Sequence, residues 1–281
     1  MTSESNDDLR SLFEAGKFGE VEQLLRREPG LLGVAGSLLD TENEESLAAL
    51  LQVLGRVGFD YSEEAKPILG KIIDLLDSGD PYIRMDAAYV FGTIASNFRE
   101  DVERALPALR RLLGDDNPLV RSEAAGAIGN VGFYHPALVT TDVGRLLTML
   151  DTGEDDEREA AAHALGKIGA TNPELLRDIF PRLVRALEKT REASCGGILL
   201  AFGTVGLHYP DMVEKYIPKL LDYLGSSNQD TVRYAVLALG NIATSRPELV
   251  KDAVPRLKEI ADVTDHDLRV NVRMALSMIG G

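Results

Sequence analysis

Asp80-Pro81-Tyr82-Ile83-Arg84-Met85-Asp86-Ala87-Ala88-Tyr89-Val90-Phe91-Gly92-Thr93-Ile94-Ala95 sets the pattern of the chain, because other segments repeat it with variations. Steps of 37 residues from Gly92 reach Gly55, Gly129, Gly166, Gly203, Gly240 and finally Ser277. A period of this length is typical of arrays in which each repeat is a small group of helices. The sequence therefore predicts an all-α fold, a right-handed α-α superhelix with a period of 37 residues.

Each repeat shows the same internal order. A first helix carries a marker that also recurs every 37 residues, at Gly70, Pro107, Gly144, Pro181, Pro218 and Pro255. Because proline inside a helix removes a backbone donor, we expect the first helix to be bent. A turn rich in Asp and Asn follows, and its side chains can cap the second helix. The second helix runs past the period glycine, and its small residues favour close packing on neighbouring helices.

The chain divides into three predicted segments. Residues 1–7 are polar and acidic, and we expect them to be disordered. Residues 8–40 have apolar residues at helical spacing, with two short helices joined at Gly16 to Gly19, and form a degenerate cap for the array. Residues 41–281 contain the regular repeats and are predicted to form a single elongated domain.

The charge balance restricts the class of partner. The chain has 281 residues, of which 45 are acidic and 30 are basic, so its net charge is -15. Such a surface repels phosphate groups, and the sequence predicts no nucleic acid partner. Residues 1–60 contain 12 acidic and 5 basic residues, a net charge of -7. This acidic end is interpreted as a solvated surface, with an interaction tail for a basic partner as the alternative.

Residue usage also bears on the environment of the protein. Arginine outnumbers lysine, 21 to 9, beside 23 Asp and 22 Glu. Low lysine with high acid fits a salt-adapted, halophilic proteome, and an ordinary acidic cytoplasmic protein is the alternative. The single cysteine, Cys195, cannot form an internal disulfide, which fits a reducing compartment. No stretch approaches the ~20 uncharged residues of a membrane span, and the acidic start does not resemble a signal peptide. We therefore expect a cytoplasmic protein with no membrane partner.

The turn and second helix in Asn117-Pro118-Leu119-Val120-Arg121-Ser122-Glu123-Ala124-Ala125-Gly126-Ala127-Ile128-Gly129-Asn130-Val131 resemble HEAT repeats, in particular the short HEAT-like repeats also found in phycobilisome lyases. The shared pattern is an Asp/Asn-Pro-x-Val-Arg start followed by Ala-Ala and Leu-Gly. It covers residues 41–281, with 8–40 as a weak extension, and together with the composition it suggests a salt-adapted archaeon as the source. The fifth repeat departs most, because Ala193-Ser194-Cys195-Gly196-Gly197 lacks both the proline and the arginine.

The resemblance implies a structural role for the arginine that follows the turn. It implies that Arg84, Arg121, Arg158 and Arg269 tie neighbouring repeats together through acids such as Asp80, Asp116, Asp155 and Asp265. HEAT arrays are mostly scaffolds and adaptors whose second helices line a concave surface. The resemblance implies the same arrangement for this chain.

The sequence predicts no catalytic, cofactor or metal site. The four histidines lie in different repeats, and no pair has the spacing of a metal site. The chain contains no His-Glu dipeptide, which the HEAT-like deoxyhypusine hydroxylases use repeatedly to bind di-iron, and it lacks the basic groove of HEAT-like DNA glycosylases. Cys195 lies near a predicted helix start, which can activate a thiol, but a small buried cysteine is far commoner.

The second helices predict a binding surface. Residues three before and one after each period glycine share one side of these helices. They form a concave strip whose partner-binding members are Tyr89, Asn130, His163, Lys167, Leu200, Leu237, Asn241, Met274 and Met278. The C-terminal half of the strip is apolar and suits an apolar helix of a protein partner. The alternative is that curvature of the array buries these residues, or that the last helix merely lacks a cap.

These features predict a non-enzymatic scaffold or adaptor that binds an unidentified protein on the concave face and needs no cofactor. The alternative is a lyase-like or regulatory subunit acting on a tetrapyrrole-carrying protein. The apolar C-terminal end also predicts association, either with a second copy as a homo-oligomer or with another protein.

Overall fold

The computed structural model describes residues 3–280, and these residues contain helices and no strand. The prediction of an all-α solenoid is therefore confirmed. The residues group into two compact units, an N-terminal unit that ends at Val139 and a C-terminal unit that begins at Thr140. The single elongated domain over 41–281 stays a prediction. The 37-residue step from Gly129 to Gly166 passes the division unchanged, so periodicity carries no signal for it.

The N-terminal unit contains three second helices, α4, α7 and α9, with shorter helices before and between them. Its α-helices are α1 (Ser3–Glu14), α2 (Phe18–Arg27), α3 (Leu32–Ala35), α4 (Glu44–Asp60), α5 (Ser62–Ala65), α6 (Leu69–Leu75), α7 (Pro81–Ile94), α8 (Arg99–Leu112) and α9 (Pro118–Tyr134).

The C-terminal unit contains four second helices, α11, α13, α16 and α18. Its α-helices are α10 (Val143–Thr152), α11 (Asp155–Thr171), α12 (Pro173–Lys189), α13 (Gly196–His208), α14 (Pro210–Val213), α15 (Ile217–Asp222), α16 (Gln229–Ser245), α17 (Val254–Val263) and α18 (His266–Ile279).

The first helices differ in continuity from repeat to repeat. Pro107 lies inside the unbroken helix α8, and Pro181 lies inside the unbroken helix α12. Near Pro218 and Pro255, short 3-10 segments at 214–216 and 247–253 lead into the α-helix. Because proline is tolerated in the first turn of a helix, these two helices begin just before their prolines.

Asp and Asn side chains cap the second helices, as the turn sequences predict. Asp80 Oδ1 accepts a hydrogen bond from the Tyr82 amide at 2.7 Å, and Asn117 Oδ1 accepts one from the Leu119 amide at 2.9 Å. Asn228 and Asp265 cap α16 and α18 in the same way. In the fourth repeat the turn Asp155-Asp156 does not supply the cap. Glu154 occupies that position and forms a reciprocal capping box with Glu157.

Three period glycines, Gly92, Gly166 and Gly203, lie where successive second helices approach closely. A Cβ atom built on Gly92 would lie 2.8 Å from Ala127 Cα, and one on Gly203 would lie 2.7 Å from Ala238 Cα. Gly166 has the same relation to Ala201 at 3.1 Å. Since these contacts involve backbone atoms, a side chain at Gly92 or Gly203 would push two helices apart.

The arginines after the turns bind the turns, and two of them also join neighbouring repeats. Arg84 donates two hydrogen bonds to the Asp115 carboxylate of the next repeat, at 2.8 and 2.9 Å. Arg158 donates to Asp155 in its own turn and to Thr190 of the next repeat. Arg121 donates to the Asp115 and Asp116 carbonyl groups. This part of the implied role is confirmed for Arg84 and Arg158.

The acids named with those arginines differ in role. Asp155 does join repeats, because its carboxylate also accepts a hydrogen bond from Arg191 at 2.5 Å. Asp80 and Asp265 cap their own helices instead. Arg269 donates to the Ala261 and Thr264 carbonyl groups of its own repeat.

The N-terminal segment is helical where disorder is predicted. Helix α1 begins at Ser3, so the prediction is wrong for residues 3–7, while residues 1 and 2 lie outside the described residues. Leu9 and Phe13 are buried and hold α1 against the following helices. Glu4 in the first turn also interacts favourably with the helix dipole. The predicted break between the first two helices is present, with Gly16 at a φ of 68°.

Candidate second-helix binding faces

The predicted strip residues all lie on second helices. Tyr89 and Asn130 belong to α7 and α9 of the N-terminal unit, and the other members belong to the C-terminal unit. Tyr89, Met274 and Met278 are exposed, whereas Asn130, His163, Lys167, Leu200, Leu237 and Asn241 are half-buried. Each unit therefore has its own set of strip residues.

In the N-terminal unit, strip residues also serve the packing of second helices. The Tyr89 ring lies over Gly55 of α4, where a built Cβ atom would meet ring carbon Cε1 at 2.3 Å. Tyr89 nevertheless keeps 40% of its surface exposed. Asn130 Nδ2 donates a hydrogen bond to the Gly92 carbonyl of α7 at 3.0 Å. Asn130 is thus tied to the helix framework, while Tyr89 is available to a ligand.

Two carboxylates on the same helix side were missed by the sequence analysis. Asp86 lies one turn before Tyr89 and is only 5% exposed, and Glu123 is its equivalent on α9. Burial raises the pKa of Asp86, and a hydrogen bond to Gln52 opposes this rise in part. Burial and the charge of Asp86 raise the pKa of Glu123. The signal that could have found them is the i, i+3 relation of Asp86 to the predicted strip residue Tyr89.

These two carboxylates have no cationic partner among residues 3–280. No lysine or arginine contributes to the pKa of either group, and neither forms an ion pair. The nearest arginines in the sequence make other contacts, since Arg84 pairs with Asp115 and Arg121 donates to the Asp115 and Asp116 carbonyl groups. The N-terminal unit therefore has buried negative charge that its own side chains leave uncompensated.

Exposed large side chains lie one turn before each of these carboxylates. Tyr82 lies one turn before Asp86 and is 59% exposed, and Leu119 is its exposed equivalent on α9. We call Tyr82, Asp86 and Tyr89 of α7 with Leu119 and Glu123 of α9 the acid-tyrosine face. It combines aromatic rings, whose faces attract cations, with the negative charge of two carboxylates.

In the C-terminal unit, the predicted residues His163 and Lys167 lie one turn apart on α11. Burial and the nearby Lys167 charge lower the pKa of His163 to about 4, so the imidazole is neutral at physiological pH. Burial also lowers the pKa of Lys167. A Cβ atom on Gly197 would lie 2.9 Å from His163 Cβ, which places His163 against α13. His163 therefore belongs to the helix packing and carries no charge at physiological pH.

The remaining strip residues follow the second helices toward the C-terminal end. Leu200 on α13, and Leu237 and Asn241 on α16, are half-buried. Met274 and Met278 lie one turn apart on α18, and 55% and 42% of their surfaces are exposed. Met278 Sδ lies 3.5 Å from Thr244 Oγ1 of α16. We call Leu200, Leu237, Met274 and Met278 the apolar strip.

Hydrogen bonds to the neighbouring repeats hold the irregular fifth repeat in place. Glu159 of α11 accepts a hydrogen bond from the Gly197 amide at 3.1 Å, which replaces a cap from the repeat's own turn. Ser194 donates to Asp156 at 3.0 Å, and Thr231 of the next repeat donates to the Glu192 carbonyl at 2.9 Å. These bonds explain how the repeat keeps its place without its proline and arginine.

Cys195 is buried within this fifth repeat. Burial and the charges of Glu159 and Glu192 raise the pKa of its thiol to about 11, so the nucleophilic thiolate is scarce at neutral pH. Cys195 Sγ also donates a hydrogen bond to the Glu192 carbonyl at 3.0 Å. A structural thiol, as predicted, accounts for these properties.

Two further features of the described residues concern metal binding and membrane insertion. Within residues 3–280, no group of three or more His, Cys, Asp or Glu side chains is arranged to hold a metal ion. In the same part of the chain, no helix has the length and apolar character needed to cross a bilayer.

Comparison with known proteins agrees with the fold. Residues 69–166 match the model of the family described as HEAT repeats. The match covers about a third of the chain, so the likeness to HEAT repeats concerns these residues. No curated protein gives a significant sequence match to the chain.

Two solved structures share the fold of this chain. An engineered protein from the Northeast Structural Genomics Consortium aligns with a TM-score of 0.53 and 21% identity, over 93% of this chain and 71% of that protein. The structure of Kap121p aligns with a TM-score of 0.59 and 16% identity, over 92% of this chain. The chain spans only 29% of the length of the Kap121p chain. At these identities the likeness concerns the fold alone.

Proposed function

We propose that this protein is a non-enzymatic scaffold that binds an amphipathic helix of a protein partner along the apolar strip. The observation that carries the proposal is the exposure of Met274 and Met278, one turn apart on the last second helix. Soluble proteins seldom leave neighbouring large apolar side chains exposed without an interaction to cover them. Repeat solenoids use extended surfaces of this kind for binding.

A helix suits this surface better than an extended segment. Methionine side chains are flexible and polarizable, so they adapt to the irregular ridge of another helix. Helix-in-groove recognition uses apolar anchors spaced one turn apart, which is the spacing of Met274 and Met278. Burial of each methionine side chain would contribute roughly 1.5–3 kcal/mol before the entropic cost of binding. Leu200 and Leu237 extend the same columns on α13 and α16.

Site-specific photo-cross-linking tests this proposal. A photoreactive residue replaces Met274 or Leu237 in the full chain, and the cross-linked partner segment is identified after incubation with an extract of the source cells. We expect both positions to label one segment whose apolar residues recur at helical spacing. Labelling of unrelated segments, or of an extended hydrophilic segment, would contradict the proposal.

A charge-matched pair of variants provides the control. Met274→Glu plus Met278→Glu adds two negative charges to the apolar strip, and Arg273→Glu changes the charge of the same helix by the same amount. Arg273 is exposed, so both variants should keep the helicity of the parent. The double methionine variant should lose the partner and Arg273→Glu should retain it. Equal retention by both variants would contradict the proposal.

Self-association and a cytoplasmic location stay predictions. If a second copy covers Met274 and Met278, light scattering at micromolar concentrations should detect a dimer that the double methionine variant abolishes. A strictly monomeric parent protein would contradict the self-association version and leave a different protein as the partner.

A further inference from the structure

The N-terminal unit offers a surface whose chemistry differs from that of the apolar strip. Residues 1–139 contain 24 acidic and 13 basic residues, a net charge of -11, whereas residues 140–281 contain 21 and 17, a net charge of -4. Most of the negative charge of the protein therefore belongs to the N-terminal unit. Such a potential attracts cationic ligands and raises their rate of association.

Within this unit, the acid-tyrosine face concentrates groups that recognise cations. The exposed rings of Tyr82 and Tyr89 lie on the same side of α7 as the Asp86 carboxylate. Glu123 on α9 provides a second carboxylate, and α7 and α9 approach closely at Gly92 and Ala127. No lysine or arginine of residues 3–280 neutralises either carboxylate.

We propose that the acid-tyrosine face binds a basic segment of a protein that carries two or more lysine or arginine side chains. A guanidinium or ammonium group can contact Glu123 and stack on Tyr82 or Tyr89, which stabilises the cation by a charge-assisted hydrogen bond and by the ring quadrupole. Asp86 is too buried to offer an open surface, so it acts by the negative potential that it maintains on this side of α7. The bound cation also relieves the repulsion between the Asp86 and Glu123 carboxylates.

Charge complementarity and the two exposed tyrosine rings together indicate the kind of ligand that binds this face. Carboxylates alone would attract a metal ion as readily as an organic cation. Two exposed tyrosines favour the organic cation, because a strongly hydrated metal ion gains little from ring faces while a weakly hydrated guanidinium stacks on them. The basic segment is thus independent of the helix proposed for the apolar strip.

Fluorescence anisotropy with a labelled octaarginine peptide tests the inference on the full chain. We expect saturable binding in 150 mM salt, where the Debye length is about 8 Å and long-range attraction alone is weak. Asp86→Asn plus Glu123→Gln should weaken binding by ~10-fold or more, because charge-assisted contacts are lost. Tyr82→Ala plus Tyr89→Ala should weaken it severalfold through loss of the cation–π contacts.

Matched controls separate this site from general attraction. Glu63→Gln plus Glu64→Gln removes the same number of charges at exposed positions of the same unit and should change binding less than ~2-fold. Circular dichroism should show equal helicity for all variants. Equal weakening by both carboxylate pairs, or no peptide binding by the parent protein, would overturn the inference. So would displacement of the peptide by Mg²⁺ or Ca²⁺ beyond that caused by sodium chloride of equal ionic strength.

Discussion

The two units stack their second helices by the same contact and offer different chemistry beside it. Gly92 packs on Ala127 in the N-terminal unit, and Gly203 packs on Ala238 in the C-terminal unit. On the same second helices, the first unit has exposed tyrosines and carboxylates without a cationic partner among residues 3–280, and the second has leucines and methionines. A repeat framework thus fixes the distance between helices and leaves the neighbouring columns free to differ. The residues that differ between repeats therefore determine which ligand each unit recognises.

The largest expected effect concerns the framework that both units share. Gly203→Ala should destabilise the protein by about 1–3 kcal/mol, because the new methyl group meets the Ala238 backbone. Gly92→Ala should have an effect of the same size in the other unit. Urea unfolding monitored by circular dichroism measures both.

Gly240→Ala is the matched control for these substitutions. A Cβ atom there would lie 3.6 Å from Ala275 Cβ, an ordinary contact, and alanine favours the helix by about 1 kcal/mol over glycine. We expect Gly240→Ala to be neutral or stabilising. If it destabilised the protein as much as Gly203→Ala, helix approach at the period glycine would not be the cause.

A smaller loss is expected when the link between repeats is removed in the N-terminal unit. Arg84→Ala deletes two hydrogen bonds to the half-buried Asp115 and removes the ion-pair partner of that carboxylate, which keeps its hydrogen bond from the Asn117 amide. The expected loss is roughly 2 kcal/mol in the free energy of unfolding. Arg256→Ala in the C-terminal unit removes an exposed pair with Glu259 and should cost less than about 0.5 kcal/mol. Similar losses for both arginines would contradict this difference.

The pH dependence of stability should have opposite signs for groups of the two units. Asp86 and Glu123 have raised pKa values in the folded state, so their contribution favours folding at low pH and weakens as pH rises above the ordinary values of 3.8 and 4.5. Asp86→Asn plus Glu123→Gln should therefore raise the melting temperature by a few degrees at pH 7, with a smaller gain at pH 4. A variant that melts lower than the parent at pH 7 would contradict the uncompensated charge.

His163 provides the opposite case in the C-terminal unit. Its pKa falls from 6.5 to about 4 on folding, so its contribution to stability is complete above pH 6.5 and is lost as pH falls toward 4. His163→Gln should flatten the stability profile between those pH values in thermal melts. An unchanged slope would show that the imidazole is not desolvated.

The smallest expected effect is a gain at Gly126 on α9. A Cβ atom there would have no neighbour within 4 Å outside its own helix backbone, and the position lies inside a helix. Gly126→Ala should stabilise the protein by about 0.5–1 kcal/mol through helix propensity. A loss in urea unfolding would show that the N-terminal unit packs more tightly at this position than the structure indicates.

The framework could be predicted from the sequence because its signals are local and periodic. Glycine every 37 residues, Asp or Asn before each second helix, and paired alanines all follow from the geometry of one repeat. The sequence places the cap of α11 in the turn Asp155-Asp156, whereas Glu154, one residue earlier, is the cap. The prediction fails because the carboxylates of Glu154 and Asp155 are both able to cap a helix. Disorder at residues 3–7 was wrong because the buried anchors Leu9 and Phe13 lie just beyond the polar segment.

The binding faces could be predicted only in part. The sequence placed Tyr89, Met274 and Met278 on second helices, and these are the strip residues that stay exposed. It could not show that Asp86 is buried without a cation, because that depends on Arg84 turning toward Asp115 of the next repeat. Nor could it show that His163 is desolvated against Gly197, since that contact joins two repeats.

Photo-cross-linking to the octaarginine peptide tests the central contrast most directly. A photoreactive residue is placed at position 89 in one sample of the full chain and at position 274 in another, and both are irradiated with the same labelled peptide. The account predicts strong labelling from position 89 and background labelling from position 274. Equal labelling from both positions would contradict the claim that the two units recognise different chemistry.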